Sequence, residues 1–303
     1  MLSLARLRLL QEFHRLGTIT SVAESLNYSR SAVSQQLTLL EREVGVPLFE
    51  KIGRTLHLTE QGEILLAHAT ALLAAADQAL VAVHSYDDAV SGTLRVTSFQ
   101  SVLSTILPPA LSSLNARYPE LTVEVAQREV LDAMEELLAG QVDLVLGEEY
   151  QGQIPPLDPG IHREILLEDP MHLITPEDGP LAVDGIEELD RAPFAIDPPG
   201  VPTGDWAAAV CGRAGFVPRL AFATIDPLLQ IHLVRLGHAV SFTPTLLAPM
   251  LEGVRVVDLP DNPTRTLYTA VRAGRQELPA IRAFRSALAA VARETIIDSG
   301  LVE

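Results

Sequence analysis

Apolar residues return at helical spacing from the start of the chain. Leu7, Leu10 and Phe13, with Leu9 and Leu16 beside them, predict a helix over Leu4–Leu16 that stops at Gly17. A shorter stripe of Val22, Ala23 and Leu26 predicts a second helix, with Thr18 or Thr20 as its cap and a turn at Asn27 and Tyr28. From Ser29, an N-cap residue by type, Val33, Leu37, Leu40 and Val44 fall at i, i+4, i+7 and i+11 and predict one buried stripe. Arg30, Ser31, Ser34, Gln35, Thr38 and Arg42 lie largely on the rest of that cylinder. These are hydrogen-bonding groups of a length suited to base edges and phosphates, although Ser and Gln are also common on a merely solvated face.

The period then changes. After Gly45, the run Pro47 to Lys51, a Gly53–Arg54 turn and the alternation Thr55, Leu56, His57, Leu58 predict a two-stranded wing with Lys51 and Arg54 at its tip. Thr59 can cap a long Ala- and Leu-rich helix from Glu60 to about Asp88, ~40 Å at ~1.5 Å per residue. Leu65, Ala69, Leu72, Ala76 and Val83 form one stripe on it, and Leu66, Leu73 and Leu80 lie beside it at sevenfold spacing. Two such helices can pair, or the helix can fold back on its own domain.

Beyond a hinge at Ser91–Gly92 the pattern alternates short apolar runs with helical stretches. Strands are expected at Leu94–Ser98, Thr122–Gln127 and Val142–Leu146, with helices at Val102–Tyr118 and Val130–Ala139. A second unit begins beyond about Glu168. Its expected strands are His172–Ile174, Phe194–Ile196, Leu220–Ala223, Ala239–Phe242 and Val254–Asp258, and its helices Gly204–Ala214 and Asp226–Leu236. The strand Thr266–Val271 and the helix Pro279–Glu294 return to the first unit, so hinges belong near Arg163–Leu167 and Pro263–Arg265. The repeated strand–helix alternation predicts parallel sheets.

Charge sharpens this division. The chain of 303 residues carries −17 overall, yet residues 1–60 hold seven basic against six acidic side chains, leaving −18 on the remainder. An acidic body with a near-neutral head repels DNA everywhere except where Arg and Lys project. The single cysteine, Cys211, allows no intrachain disulfide and reads as a core residue of a cytoplasmic protein. Arg6 and Arg8 interrupt the apolar start, which reads as an amphipathic helix and not as a secretory segment, and no apolar run is long enough to span a bilayer.

The ordered run Ser25 to Gly45, with Ser29, Ala32, Val33, Ser34, Gln35, Leu39, Leu40, Glu41 and Gly45, then Pro47, Leu48, Phe49, Gly53, Arg54, Leu58, Thr59 and Gly62, resembles the signature of LysR-type transcriptional regulators. The resemblance implies an α/β protein overall. It would have an all-α winged helix-turn-helix at 1–59, a linker and dimerisation helix at 60–91, and a two-lobed effector-binding domain like a periplasmic binding protein at 92–303. Lobe I would comprise 92–165 and 266–303, and lobe II 166–265. By resemblance the base and phosphate contacts are Arg30, Ser31, Ser34, Gln35, Lys51 and Arg54, and Ser29 and Thr38 complete the expected DNA-binding set. Arg30 stands where Gln is common and Ser31 where Pro often opens the helix, so the operator preference is open. The implied partners are a near-palindromic double-stranded operator, a second copy in a homodimer or a dimer of dimers, a small-molecule effector, and RNA polymerase as a further partner.

In such lobes ligands sit beyond the carboxyl ends of strands. That rule selects Ser98, Phe99, Gln100, Ser101, Gly147 and Glu148 from lobe I, and Gly200, Val201, Pro202, Thr203, Thr224, Ile225, Thr243 and Pro244 from lobe II. The set holds hydroxyls and amides and no arginine, with Asp197, Glu149 and Asp226 nearby; a carboxylate and an uncharged or cationic metabolite are both compatible with it. Nothing resembles a metal site, nucleophile elbow or phosphate loop, so neither a catalytic residue nor a resident cofactor is expected. Asp169 and His172 read most simply as a solvated strand edge. The alternative to a regulator is a small-molecule binding module without regulatory output.

Overall fold

The computed structural model describes residues 1–26, 28–53, 55–84, 89–151 and 158–298, the side chains of 80–82, 84 and 298 excepted. The head is three helices and a hairpin: α1 (Leu4–Leu16), α2 (Ile19–Ser25), α3 (Arg30–Val44), β1 (Phe49–Ile52) and β2 (Thr55–Leu58). Local chemistry sets each boundary. Thr18 caps α2 by accepting from the Ser21 amide, Ser29 caps α3 by accepting from the Ala32 amide, and Gly17 and Gly45 end α1 and α3 at φ 72° and 84°. Leu7, Leu10, Val22, Val33 and Leu40 are fully buried between these helices. The wing register pairs Phe49 with Leu58 and Ile52 with Thr55. Asn27 and Arg54, expected in the turn and at the wing tip, lie outside the described residues.

Helix α4 spans Glu60–His84 and opens where Thr59 accepts from the Gly62 amide. Residues 85–88 lie outside the described set. The expected single stripe divides in two. Leu65, Leu66, Ala69 and Leu73 pack against Leu7, Leu10 and Leu48 of the head, whereas Ile64, Leu72 and Val83 remain exposed.

The body has one seven-stranded sheet in the order β10-β6-β11-β5-β3-β4, with β9 also paired to β6. Its strands are β3 (Gly92–Ser98), β4 (Leu121–Gln127), β5 (Leu144–Tyr150), β6 (Ile161–Pro176), β9 (Ser241–Pro244), β10 (Val254–Asp258) and β11 (Thr264–Arg272). Strands β7 (Pro193–Ile196) and β8 (Arg219–Ala223) form a separate parallel pair. Around them lie α5 (Gln100–Ser104), α6 (Leu107–Arg117), α7 (Val130–Ala139), α8 (Pro202–Arg213), α9 (Pro227–Arg235) and α10 (Pro279–Asp298). Lobe I buries Val96, Ile106, Leu114, Leu144, Phe284 and Leu288 on one sheet face, and Leu137, Val145 and Ala270 under α7 on the other. Lobe II centres on Leu173, Phe194, Trp206 and Val240. No helix among the described residues is long and apolar enough to cross a membrane.

Three expectations for the body change. The helix predicted over Val102–Tyr118 is two helices, because Pro108 and Pro109 lack amide donors and are tolerated only in a first turn, where α6 places them. The sheet is mixed: β3 is parallel to β4 and β5, but β11 runs antiparallel to β5 and β6, as strands that cross between lobes must return. The segment expected to hinge at Arg163–Leu167 lies inside the continuous sixteen-residue β6. That strand pairs with β11 through Pro170 and with β9 from Met171, so the handover between lobes falls there.

Head and body touch within one chain. Arg15 on α1 reaches Glu135 on α7 at 3.1 Å, and the Gln141 amide donates to the Ser25 carbonyl. Asp77 of α4, 5% exposed, faces Arg8, Arg272 and Arg275 at 3.6–4.0 Å.

Candidate functional site

Two surfaces follow from this frame. On the head, Val33, Leu37 and Leu40 bury one face of α3, and Ser29, Arg30, Ser31, Ser34, Gln35, Thr38 and Arg42 are all exposed on the remainder. Lys51 is exposed on the wing beside them. The Thr38 hydroxyl donates to the Ser34 carbonyl at 3.0 Å, so toward a groove it presents an acceptor and a methyl group. The Ser29 and Ser31 hydroxyls lie 3.0 Å apart. Arg30 and Gln35 have no side-chain bond among the described residues and keep their forked donors and acceptors for an outside partner.

The second surface is a cleft between the lobes. Phe99, Gln100, Ser101, Glu148, Thr203, Ile225 and Pro244 of the expected set line it. The others of that set do not. Ser98 and Thr243 are buried, with 1% exposure each. Gly147 is part of β5, which runs on to Tyr150, and a Cβ there would lie 2.4 Å from the Tyr268 ring, so this glycine serves packing. Gly200, Val201, Pro202 and Thr224 stay in the loops and helix start around the rim, off the lining.

The floor of the cleft is a charged network. Arg265, at the start of β11 and 3% exposed, donates from Nε and Nη2 to one Asp169 oxygen at 2.9 and 2.7 Å. It also donates to Glu148 at 2.7 Å and to the Ser101 hydroxyl at 3.0 Å. The other Asp169 oxygen accepts from the Leu246 amide at 3.1 Å. Burial opposes the charge on Arg265, but Asp169 and Glu148 outweigh it and hold the guanidinium above its ordinary range. Asp169 and His172 are thus not a solvated edge, being 0% and 5% exposed. His172 bonds Thr245 through Nε2 at 2.8 Å.

Above the floor, Asp197 follows β7 and accepts from Gln230 of α9 at 2.8 Å. Burial pushes its carboxyl up to about 6 despite that bond, and Glu148 and Glu129 add to the rise. Glu129, at the start of α7, is also raised, by burial first and then by Glu148. Tyr150 donates to Glu148 at 3.1 Å and lies 5.5 Å from the Trp206 ring. Cys211 stands apart in the lobe II core, its thiol pushed up to about 12 by burial, which leaves it a packing residue.

Residues 4–63 match the family model described as bacterial regulatory helix-turn-helix protein, lysR family, and residues 87–293 match that of the LysR substrate binding domain. The chain belongs to the LysR family. The HTH-type transcriptional regulator ShiR of Corynebacterium glutamicum (strain R) is 29% identical over 309 residues, spanning 96% of this chain and 98% of that one. Full-length OxyR from Pseudomonas aeruginosa shares the fold at TM-score 0.63 and 19% identity, over 95% of each chain. So does full-length CbnR in its complex with target DNA, at TM-score 0.53 and 20% identity, over 97% of this chain and 100% of that one.

In this LysR protein the cleft residues outside the expected set include three charged ones, Arg265, Glu129 and Asp197. Arg265 had counted only as part of a hinge, and Glu129 and Gln127 sit at a strand–helix junction that the rule should have included. Asp197, expected only near the set, is the residue after β7 and lines the cleft itself. Gln230, Met171 and Phe242 enter from elements whose facing side only the fold reveals.

Proposed function

We propose that this LysR-type transcriptional regulator reads an operator with the exposed face of α3 and the wing, and that a small molecule in the inter-lobe cleft sets the outcome. The observation that carries the reading is the two-sidedness of α3, with Val33, Leu37 and Leu40 buried and the Arg30 guanidinium, Gln35 amide and Ser31, Ser34 and Thr38 hydroxyls on the exposed face. Gln35 is suited to adenine and Arg30 to guanine or a phosphate, and Ser31, Ser34 and Lys51 to the backbone; Arg54, from its place at the wing turn in the sequence, joins them. The exposed apolar face of α4 supports pairing with a second copy, hence a near-palindromic operator, a dimer, and a dimer of dimers. RNA polymerase is a further partner in this reading.

The cleft binds and does not turn over its ligand. Its Ser101 hydroxyl accepts from an arginine instead of facing a base, and the chain's relatives are named as transcriptional regulators. A DNA-directed protein of this kind works in the cytoplasm. A ligand that bridges Glu148 or Ser101 to lobe II bears on the strand crossing through Arg265 and favours one lobe arrangement, which alters head spacing and DNA bend. The test is gel retardation of genomic fragments retained by the full chain. Near-palindromic fragments are expected, with affinity lowered by about 1–3 kcal/mol in Gln35→Ala and Arg30→Ala and no loss of folding. Wild-type affinity in both variants would remove α3 from the interface.

A further inference from the structure

The chemical class of the ligand follows from the donors and acceptors left over in the cleft, given the cleft reading above. The donors facing it are largely spent. Four of the five Arg265 N–H groups are bonded within the protein, and the Gln230 amide donates to both Asp197 and the Thr224 carbonyl, leaving one Nη1–H, the Ser101 hydroxyl and the Gln100 and Gln127 amides as side-chain donors. Acceptors are in surplus. Among the described residues, both Glu129 oxygens and the second Glu148 oxygen take no hydrogen bond, while Asp197 accepts from Gln230 and from the Thr203 hydroxyl. Three carboxylates line the cleft against one guanidinium, and that guanidinium is already matched by Asp169 beneath it.

An anion entering this space would meet like charge and find few donors. An ammonium or amidinium group carries only donors and a positive charge, the complement of what is left unfilled. Phe99, Ile225 and Phe242 give the lining its apolar part, Phe99 with the Arg265 guanidinium 5.6 Å from its ring centroid, and aromatic faces also favour a cation. The two pKa shifts agree with this picture: Glu129 and Asp197 each resist ionisation partly because Glu148 is close, and a bound cation relieves that repulsion. The free space is about 70 Å³, so the group seated here is small and a larger ligand must part the lobes.

We propose that the cleft takes a small molecule bearing a protonated amine or amidine, its cation held among Glu129, Glu148 and Asp197 and its apolar part against Phe99, Ile225 and Phe242. Titration calorimetry and thermal melts of the full chain at pH 8 test it with matched probes: propylammonium, 1,4-diaminobutane and phenethylammonium against propionate, succinate and phenylacetate. At least one cation and no anion is expected to bind. Its Kd should rise at least tenfold in Asp197→Asn and again in Glu129→Gln, both of which keep side-chain shape. An anion that binds, and binds more tightly in those variants, overturns the cationic class while leaving the cleft as the ligand site. A panel in which no cation binds at 10 mM, roughly the weakest affinity expected of so small a ligand, also overturns it. A cation indifferent to both variants and to Ser101→Ala binds elsewhere, and the cleft reading then falls as well.

Discussion

Arg265 and Asp169 face each other at adjacent positions of β11 and β6, and neither has more than 3% exposure. Removing one partner leaves the other charge buried, so Arg265→Ala should cost about 3–5 kcal/mol in denaturant unfolding, far more than an exposed pair would. Arg265→Ala losing less than 1 kcal/mol would mean that the floor can repack or admit water, contrary to its role as a fixed pivot. Asp197 gives a prediction of opposite sign. Its folded pKa of about 6 lies above the ordinary ~3.9, so the folded state holds this proton more tightly than the unfolded chain does. Its ionisation therefore lowers stability, fully so above pH 6, and the penalty fades as pH falls towards 4. Glu148 on β5, Glu129 at α7, Thr203 on α8 and Gln230 on α9 all bear on it, with Arg265 and Asp169 beneath. Asp197→Asn should stabilise the unliganded protein by about 1–3 kcal/mol at pH 8 and by little at pH 4. Equal differences at the two pH values, in paired urea unfolding curves, would contradict the raised carboxyl.

Among the elements, α3 depends on local signals and the cleft on distant ones. Ser29→Ala removes the acceptor for the Ala32 amide, and a loss of about 1 kcal/mol is expected, measurable by thermal unfolding of the full chain. Such caps, and the periods of α1, α3, α7 and β10, could be read from neighbouring residues, and the boundaries of α1 and α7 fall where the pattern put them. The break between α5 and α6 was also written locally, in Pro108 and Pro109, but apolar spacing continues across it and masked the break. The charged floor was not legible in the same way. Arg265 and Asp169 are 96 residues apart, and each alone has the composition of a strand edge. Only the antiparallel return of β11 beside β6 puts them together and forces them to pair. Gly147 misled for a related reason: a glycine near a strand end fits a ligand loop equally well, and the Tyr268 ring that claims its space is 121 positions away. Gly147→Ala should therefore act on stability, by roughly 1–3 kcal/mol of overpacking, before it acts on ligand affinity.

At the scale of the whole molecule, α4 must serve two masters. Its Leu65, Leu66, Ala69 and Leu73 face complements the head, while Ile64, Leu72 and Val83 are 56%, 43% and 72% exposed, an apolar row long enough to seek a partner. Water contact on such a row is unfavourable at about 25 cal/mol per Å², and a second α4 is the surface whose shape and spacing match it. Pairing then links two heads whose separate phosphate contacts add. Leu72→Asp places a charge in that seam without touching the head core, so the variant should sediment as a monomer with an unchanged α3. A single head binds one half-site, and losing the intramolecular second contact should weaken operator binding by 10²–10⁴, roughly the usual gain from linked sites. The slope of log affinity against log salt should fall to about half, because about half as many counterions are released. A Leu72→Asp protein that stays dimeric with the parent's salt slope would show that the copies are joined through the body, and α4 would then be only the spacer between head and lobes.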